Sequence, residues 1–468
     1  MTWALFALLA YVAAQLLLGV VVSRRIKTED DYLVAGRSLG PVMATFSIFA
    51  TWFGAESCVG AAGEVFRHGL SAVSSDPFGY GVCLLLFGAV FAAPLWSRQL
   101  TTLADLFKQR YSPGVERVVA LMLIPGSLLW ASAQVRAFGH VLAATGQLPE
   151  PIGIAFAAVL AVTYTSFGGL LADAYADLIQ GAVLILCLLI LLCAVVLGEG
   201  GVGATWTVLT RNGPELAAPT LSPLASLNNW AIPILGSLFA QELVARTSAS
   251  RSRRVAQRSV FYAAALYLFV GSIPVVLGAI AHHTLPGADP EQVLATLARK
   301  HLPSVGYLIF AGALVSAILS TVDSALLVCG SLVSHNLASL AMRDASERQK
   351  VLLARVSVVA FSGVAYLLAR SAESVHGLVQ EASAFGSAGV CVAGTLGLFS
   401  RRGGPLSAYG AMAAGTLAWL YAAYVAELET AFLCSLGAAL AAYLACSLFE
   451  QQRAAAPLRQ LSEDPEPR

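Results

Sequence analysis

Long apolar stretches alternate with short polar or basic segments along almost the whole chain. A helix needs about 20 mostly apolar residues to cross a lipid bilayer. The pattern therefore predicts an all-α polytopic membrane protein with about thirteen transmembrane helices. Their predicted limits are 2–23, 41–65, 75–97, 117–143, 152–168, 172–198, 228–245, 259–281, 304–336, 351–370, 375–399, 405–425 and 429–449.

Composition supports this fold class and excludes several functions. The 468 residues are 57% hydrophobic and only 12% charged, and the mean hydropathy is +0.74. Soluble domains carry about 25% charged residues. The net charge of +1 and the lack of a soluble domain argue against nucleic acid as a partner. No CxxC, HExxH or GxxxxGK[ST] pattern occurs, so we predict no enzyme activity, no organic cofactor and no ATP-driven transport.

Lys and Arg residues predict the orientation, because cytoplasmic loops are enriched in them. Of the 28 Lys and Arg residues, 22 lie in the carboxyl-terminal tail and in one set of alternate loops, which includes Arg246. The other set of loops holds five. The amino terminus is therefore expected outside and the carboxyl terminus in the cytoplasm, in the inner (plasma) membrane. Arg136 alone lies inside a span and requires a carboxylate partner that the sequence does not identify.

The order of the spans predicts an internal repeat. The longest external connection, 199–227, separates two groups of five spans, 41–198 and 228–399. Five is an odd number, so the second group runs through the membrane with opposite polarity, as in many secondary transporters. Residues 1–450 form the predicted transmembrane domain, and 451–468 form a short cytoplasmic tail.

The first helix of each group contains residues that weaken the helical backbone. Glu56 and Ser57 lie at the expected break of the first helix, and Gln241 and Glu242 follow the expected break of the second. An unwound segment frees carbonyl groups to face an ion or a solute. The alternative is that Gly and Pro are common in membrane helices without a functional reason. The weakening residues are Gly54, Gly60, Gly63, Pro233 and Gly236.

The apolar stretch 313–336 carries Ser320, Thr321, Asp323 and Ser324 near its middle. Polar groups at that depth are costly in lipid and mark functional sites. Hydroxyl and carboxylate oxygens are the ligands of small hard cations. Alternatively, each hydroxyl bonds a carbonyl one turn earlier in its own helix.

Six segments together, in this order, resemble the sodium:solute symporter family. That resemblance implies a five-plus-five inverted-repeat core of the LeuT type, with one extra helix before it and two after it. It also implies coupled inward movement of sodium and an organic solute. The segments are DDYLVAGRSLG (30–40), ATWFGAESCVG (50–60), TLADLFKQRY (102–111), YTSFGGLLADAYADLIQG (164–181), QELVARTSASRSRR (241–254) and GALVSAILSTVDSALL (312–327).

The resemblance also implies a sodium site. Ser320 and Thr321 match the family's sodium-coordinating hydroxyls, and Ala317 matches a carbonyl ligand one turn earlier. Ala50 and Phe53 match the two remaining carbonyl ligands, on the first broken helix.

Three acidic residues have less definite roles. Asp177 matches an acid near the family's sodium exit route, or it is a helix N-terminal acid stabilised by the helix dipole. Asp173 is expected to be solvated at the membrane edge. Asp323 points away from Thr321 and is expected to pair structurally rather than to bind sodium.

The expected solute site rests on aromatic residues. Segments 80–95 and 128–139 resemble the choline-transporting branch of the family, and Trp52 and Trp130 match two tryptophans of its aromatic cage. The third cage position is Ala240, which departs from that branch. Alternatively, the two tryptophans are packing or interfacial residues. Further solute-binding candidates are Glu56, Ser57, Gln134, Gln241 and Glu242.

The sequence thus predicts sodium-coupled symport of a small organic solute into the cell by alternating access. Sodium ion, solute and the lipid bilayer are the expected partners, and no obligate protein partner is inferred. Two alternatives remain: a proton-coupled symporter that uses Glu56, or a membrane solute sensor without its own kinase domain.

Overall fold

A computed structural model describes residues 28–69, 75–146, 148–165, 169–211, 222–338 and 345–462, together with the single positions 6, 10 and 13. Within these residues the secondary structure is helical, apart from one isolated backbone bridge between Leu39 and Ser250. The helices of the first half are α1 (Glu29–Val34), α2 (Pro41–Trp52), α3 (Glu56–His68), α4 (Asp76–Ser97), α5 (Ala104–Arg110), α6 (Pro113–Gly146), α7 (Glu150–Thr165), α8 (Leu170–Gly198) and α9 (Val202–Arg211).

The second half also begins with an interrupted helix followed by long ones. A turn of wider, π-type helix, Ile232–Gly236, separates its first two helices. These helices are α10 (Pro223–Ala231), α11 (Gln241–Ser248), α12 (Arg253–Thr284), α13 (Val293–His301), α14 (Ser304–Leu337), α15 (Glu347–Ser371), α16 (Val375–Ala384), α17 (Ser387–Phe399), α18 (Pro405–Tyr424) and α19 (Ala431–Ser462).

The described residues contain seven helices long and apolar enough to cross a membrane, or nine when each of two bent pairs counts as one span. The bent pairs are α2 with α3, at 56°, and α16 with α17, at 42°. The predicted number of thirteen spans is not confirmed by this count. The first predicted span, 2–23, lies almost entirely outside the described residues. The predicted span 228–245 is divided between α10 and α11, and α7 is shorter than the spanning helices.

Local sequence explains where several helices begin and break. Ser252 and Ser346 accept backbone N–H groups at the starts of α12 and α15, which satisfies donors that have no partner inside the helix. Gly386 separates α16 from α17 with a φ of +66°, in the left-handed region that glycine adopts at little cost.

The first broken helix lies at the centre of the molecule. The half-helix α2 packs against α8, α12 and α14, and α14 in turn packs against α6 and α8. Most side chains of α14 are buried from Phe310 to Leu332. Elements of the two repeats therefore meet around the middle of α2 and of α14.

The beginning of α2 and the end of α11 are joined through the backbone. The N–H of Leu39 donates to the carbonyl of Ala249 at 3.0 Å, and the N–H of Arg251 donates to the carbonyl of Leu39 at 3.0 Å. Both bonds thus connect Leu39, which precedes α2, with residues that directly follow α11.

Candidate functional site

The first core helix is broken, as the sequence predicts, but the break lies at 53–55, and Glu56 and Ser57 belong to the helical turn that follows it. The half-helix α2 ends at Trp52, and Phe53 leaves the helical conformation with φ −104° and ψ 65°. A Cβ on Gly54 would lie 2.6 Å from Gln134 Oε1 and 2.6 Å from Thr321 Oγ1. Only glycine therefore lets these two polar side chains reach the backbone of the break.

Three of the proposed sodium ligands converge at this break. Thr321 Oγ1 lies 3.2 Å from the carbonyl oxygen of Ala50 and 3.2 Å from that of Ala317. The Ser320 hydroxyl instead donates to Asp177 Oδ1. Thr321 and Ser320 thus have different oxygen partners. Phe53, whose carbonyl is another proposed ligand, lies at the break itself.

Asp177 belongs to a buried ionic network. Its other oxygen accepts from the Ser47 hydroxyl at 2.8 Å. Arg246 forms an ion pair with Asp173 and lies 3.9 Å from Asp177. Ser324 donates to Asp173 at 3.1 Å. The network joins helices of both repeats on one side of the Thr321 site.

This network corrects two expectations from the sequence. Arg246 is 1% exposed, so it does not belong to a basic cytoplasmic loop. Asp173 is fully buried rather than solvated. The physical reason is their pairing: an Asp and an Arg that are each costly to bury alone can be buried together when hydrogen-bonded.

Asp323 lies close to the same network. It is 1% exposed, and Thr165 of α7 is its hydrogen-bonding neighbour. Asp173, Asp177 and Arg246 act on its carboxylate electrostatically. A structural role for Asp323 stays a prediction.

Three aromatic rings lie together beside the break. The ring centroids of Trp52 and Trp130 are 6.3 Å apart, and Tyr80 lies 5.6 Å from Trp52 and 5.8 Å from Trp130. The Tyr80 hydroxyl lies 2.8 Å from that of Ser383 on α16, which fixes the ring. Aromatic groups from α2, α4 and α6 thus form one wall.

A cavity opens next to this wall. It measures about 740 Å³ including its mouth. Glu242 is the one charged side chain among the described residues that line it, and its carboxylate accepts from Ser127 at 2.8 Å. Its lining includes Thr51, Trp52, Ser127, Trp130, Ser237, Ala240, Gln241, Glu242, Thr321, Ser383 and Ser387.

The remaining solute candidates lie outside that lining. Gln134 accepts from the Ala55 N–H at 2.7 Å and donates to Glu56 at 2.6 Å, and Glu56 also accepts from the Gly54 N–H at 3.2 Å. Ser57 contacts Asp76 and Tyr267. These residues hold the broken backbone. Gln241 lines the cavity, while its side-chain oxygen accepts from the Leu103 N–H.

An ionic cluster closes the opposite side of the broken helix. Glu291 Oε2 lies 3.2 Å from Arg136 Nε and 2.7 Å from His140 Nε2, and its Oε1 accepts from the Val375 N–H at 2.8 Å. Burial alone would raise the pKa of the Glu291 carboxyl, but the hydrogen bond and charge of His140 and the charge of Arg136 outweigh it. That pKa therefore lies below its ordinary value. Glu291 is a partner that the sequence did not identify for Arg136.

Several site residues escaped the sequence reasoning. Tyr80 lies in a segment already noted for its resemblance, and its place beside two candidate tryptophans could have been inferred from it. Ser127 and Ser383 carry no signal in the sequence, since single serines are common in membrane helices. Arg246 lies about one helical turn after Glu242. It was assigned to a basic loop because Arg251 and further arginines follow it closely in the sequence.

Comparison with known families gives one match over most of the chain. The model of the sodium:solute symporter family matches residues 32–418. A high-affinity choline transporter 1 of Torpedo marmorata is 29% identical over 373 residues, which are 75% of this chain and 63% of that protein. The human high affinity choline transporter 1 is 28% identical over 80% of this chain and 69% of its own length. The chain thus spans less than two thirds of the Torpedo relative.

A bacterial relative and solved structures complete the comparison. The sodium/proline symporter of Escherichia coli is 27% identical over 81% of this chain and 79% of its own. A Na⁺-coupled sialic acid symporter in an outward-open state superimposes with a TM-score of 0.79, covers 98% of both chains and is 18% identical. A closed nucleobase-cation-symport-1 transporter gives 0.60 at 15% identity over 91% of this chain and 95% of that one. At these identities the structures establish the fold.

Proposed function

Because the chain belongs to the sodium:solute symporter family, we propose that it carries a small organic solute into the cell together with sodium, by alternating access. Its family and its structural neighbours are transporters, not enzymes. Sodium binding would favour one of two pre-existing states, and the solute would then bind more tightly to that state.

The proposal rests on one observation, the position of Thr321 between two carbonyl oxygens. One carbonyl, of Ala50, belongs to the broken helix of the first repeat, and the other, of Ala317, belongs to the second. Neutral oxygens at hydrogen-bond distance can rearrange around a monovalent ion and release it again. Ser320 and the carbonyl of Phe53 are the further proposed ligands, and Asp177 is proposed to line the exit route.

The solute is proposed to be a small organic cation, such as a methylated ammonium. Tryptophan faces attract cations, and a carboxylate inside an apolar cavity favours a positively charged ligand. Trp52, Trp130 and Glu242 meet these two requirements in one cavity. The choline transporters among the relatives carry a ligand of this chemistry. Ala240 lines the same cavity at the position of the third cage residue, so the proposal is for an organic cation rather than for choline in particular.

The orientation is proposed from the basic loops, with the amino terminus outside and the carboxyl terminus in the cytoplasm. Arg246 leaves the count, because it is buried, and the inner loops and tail then still hold 21 of the 28 Lys and Arg residues. The membrane is proposed to be the inner (plasma) membrane.

Uptake into proteoliposomes tests the function. A sodium gradient without a proton gradient is expected to drive accumulation of at least one member of a panel of choline, betaine, proline, simple sugars and short monocarboxylates. Choline is the first probe. Accumulation that follows only a proton gradient and disappears in Glu56→Gln would replace sodium by the proton. Binding without accumulation under either gradient would instead favour a sensor.

A further inference from the structure

A second polar network adjoins the break of the first helix, where the Tyr267 ring packs against that of Phe53. Asp76, at the start of α4, is 4% exposed. Its carboxylate contacts the hydroxyls of Ser57, on α3, and Tyr267, on α12. The Ser57 hydroxyl also lies 3.3 Å from the carbonyl oxygen of Trp52. The network thus joins α3, the half of the broken helix that we call the outer arm, to α4 and α12.

The three side chains form a closed triangle of oxygen atoms. Ser57 Oγ lies 3.0 Å from Asp76 Oδ2 and 2.7 Å from the Tyr267 hydroxyl, and that hydroxyl lies 3.0 Å from each Asp76 oxygen. Each side of the triangle needs one proton to be a hydrogen bond. The two hydroxyls supply one proton each, and an ionised carboxylate supplies none. One side would then hold two facing lone pairs.

A proton on Asp76 completes the triangle. Asp76 then donates to Ser57, Ser57 donates to Tyr267, and Tyr267 donates to the other oxygen of Asp76. A larger hard cation such as Ca²⁺ fits less well. It keeps oxygen ligands about 2.3 Å or more away, so ligands at right angles lie roughly 3.3 Å apart. The sides of 2.7–3.0 Å are shorter than this spacing. Mg²⁺, which binds oxygen at about 2.0–2.1 Å, demands an octahedral set of oxygens.

Among the described residues, no positively charged group acts on Asp76 from another direction. The ionisable groups that act on it are Glu56 and Cys58 of α3, Tyr80 of its own helix and Tyr267 of α12. Residues 223–236, which also pack against the start of α4, contain no ionisable side chain. Within the described residues Asp76 forms no ion pair. An unpaired carboxylate inside a membrane protein is costly, and a proton removes that cost.

We propose that Asp76 is a proton-binding site, occupied while α3 is packed against α12 and emptied when α3 moves away. Ser57 belongs to the turn of π-helix, Glu56–Gly60, that begins the outer arm. Movement of this arm removes Ser57 from the triangle and admits water, so the carboxyl loses its acceptor and can ionise. Proton binding at Asp76 thus accompanies closure of the outer arm, in addition to sodium binding at Thr321.

Infrared spectroscopy of the full chain in lipid vesicles tests whether Asp76 holds a proton. The wild-type protein at neutral pH is expected to show the carbonyl stretch of a protonated carboxylic acid. Asp76→Asn should remove that band, while Glu56→Gln, which removes the other buried carboxyl of this region, should retain it. Tyr267→Phe keeps Asp76 and should shift the band, because one donor is lost. An Asp76→Asn spectrum identical to that of the wild type would overturn the proposal, as would an unshifted band in Tyr267→Phe if Asp76→Asn does not fold.

Transport measurements test the coupling separately. The sodium-driven uptake of choline, or of the panel member that is accumulated, should fall at alkaline pH by at most about tenfold for each pH unit, as expected for one proton. Asp76→Asn, which carries a permanent donor, should retain uptake and lose this fall. The same pH profile in Asp76→Asn and in the wild type would refute proton coupling at Asp76, whatever the driving ion is.

Discussion

The hydroxyl of Thr321 lies 3.2 Å from the carbonyl oxygen of Ala50, although 271 positions separate the two residues. Ala50 belongs to α2, the first half of the first broken helix, and Thr321 belongs to α14. The contact exists only because α2 ends near Trp52 and α14 crosses it at that level. A movement of either helix changes the distance between the two oxygens, so sodium bound there would sense the conformation of both repeats.

Thr321→Ala is expected to raise the sodium concentration needed for half-maximal uptake by at least tenfold, because it removes one ligand at little steric cost. Ser320→Ala should have a smaller effect, since its hydroxyl bonds Asp177. Ser362→Ala is a matched control, because Ser362 is also a buried membrane serine but bonds only Val358 of its own helix. Unchanged sodium dependence in Thr321→Ala would refute the site. The measurement is the initial rate of solute uptake at varied sodium concentrations, which gives the half-maximal sodium concentration of each variant.

Trp130→Ala and Trp52→Ala are each expected to weaken binding of a methylated ammonium by more than tenfold. A cation over a desolvated indole contributes about 2 kcal/mol, which corresponds to that factor. Trp206→Ala is the control, since Trp206 is 67% exposed on α9. Competition of choline and betaine against sodium-coupled currents measures the change. If no ammonium competes in the wild type, the proposed solute class is excluded. If Trp130→Ala also binds the transported solute with normal affinity, the proposed pocket is excluded as well.

Glu242→Gln tests the charge of the solute rather than its shape. The amide keeps the size of the side chain and can still contact Ser127, but it removes the negative charge. Affinity for choline should fall, while affinity for the zwitterion betaine should change less, because betaine carries its own carboxylate. The ratio of the two inhibition constants is the measurement. An equal change for both ligands would mean that Glu242 acts only through the shape of the cavity.

Arg246→Gln is expected to destabilise the protein strongly, by about 3–5 kcal/mol, because it leaves Asp173 buried without its cation. Glu199→Gln breaks the more exposed pair with Lys300, at 3.0 Å, and should cost no more than about 1 kcal/mol. The free energy of unfolding in mild detergent measures both. A cost for Arg246→Gln as small as that for Glu199→Gln would show that water reaches the Asp173 pair.

The cluster around Glu291 predicts a dependence on acid pH. The pKa of Glu291 is lowered in the folded state, so its contribution to stability is present above its ordinary pKa and is lost as the pH falls through the folded value. The wild type should melt at a higher temperature than Glu291→Gln at neutral pH, and the two should converge in acid. Glu373→Gln is the control, because Glu373 contacts Arg136 only through its carbonyl. Parallel melting curves at all pH values would contradict the ion pair.

The sequence was sufficient for the elements that periodicity and composition determine. A break in the first core helix was predicted from Gly54 and the glycines that follow it, because glycine weakens a helix regardless of its partners. Its exact position, after Trp52 rather than at Glu56 and Ser57, was not. The burial of Asp173 and Arg246 could not be predicted, because each is favourable only when the other is present, 73 residues away. The same holds for Glu291, whose position near Arg136 depends on how the segment between α12 and α13 folds back.

The count of spans shows a second limit of sequence reasoning. Hydropathy locates apolar segments, but it does not distinguish a straight helix from one interrupted by a wider turn. The segment 228–245 was predicted as one span and is instead divided by Ile232–Gly236. Pro233 and Gly236 signalled the break, while its exact form depends on the packing of Gly236 against the Ser383 carbonyl of α16.

The backbone bonds of Leu39 with Ala249 and Arg251 have a mechanical consequence. Main-chain bonds do not depend on side-chain identity, so the bonds themselves persist whichever non-proline side chains the buried cluster around Leu39 and Ala249 accepts. Because of these bonds, α2, which holds the carbonyl of Ala50, and α11, which holds Glu242, are expected to move together. A displacement of one half-helix then reaches the other through the backbone and not across the cavity.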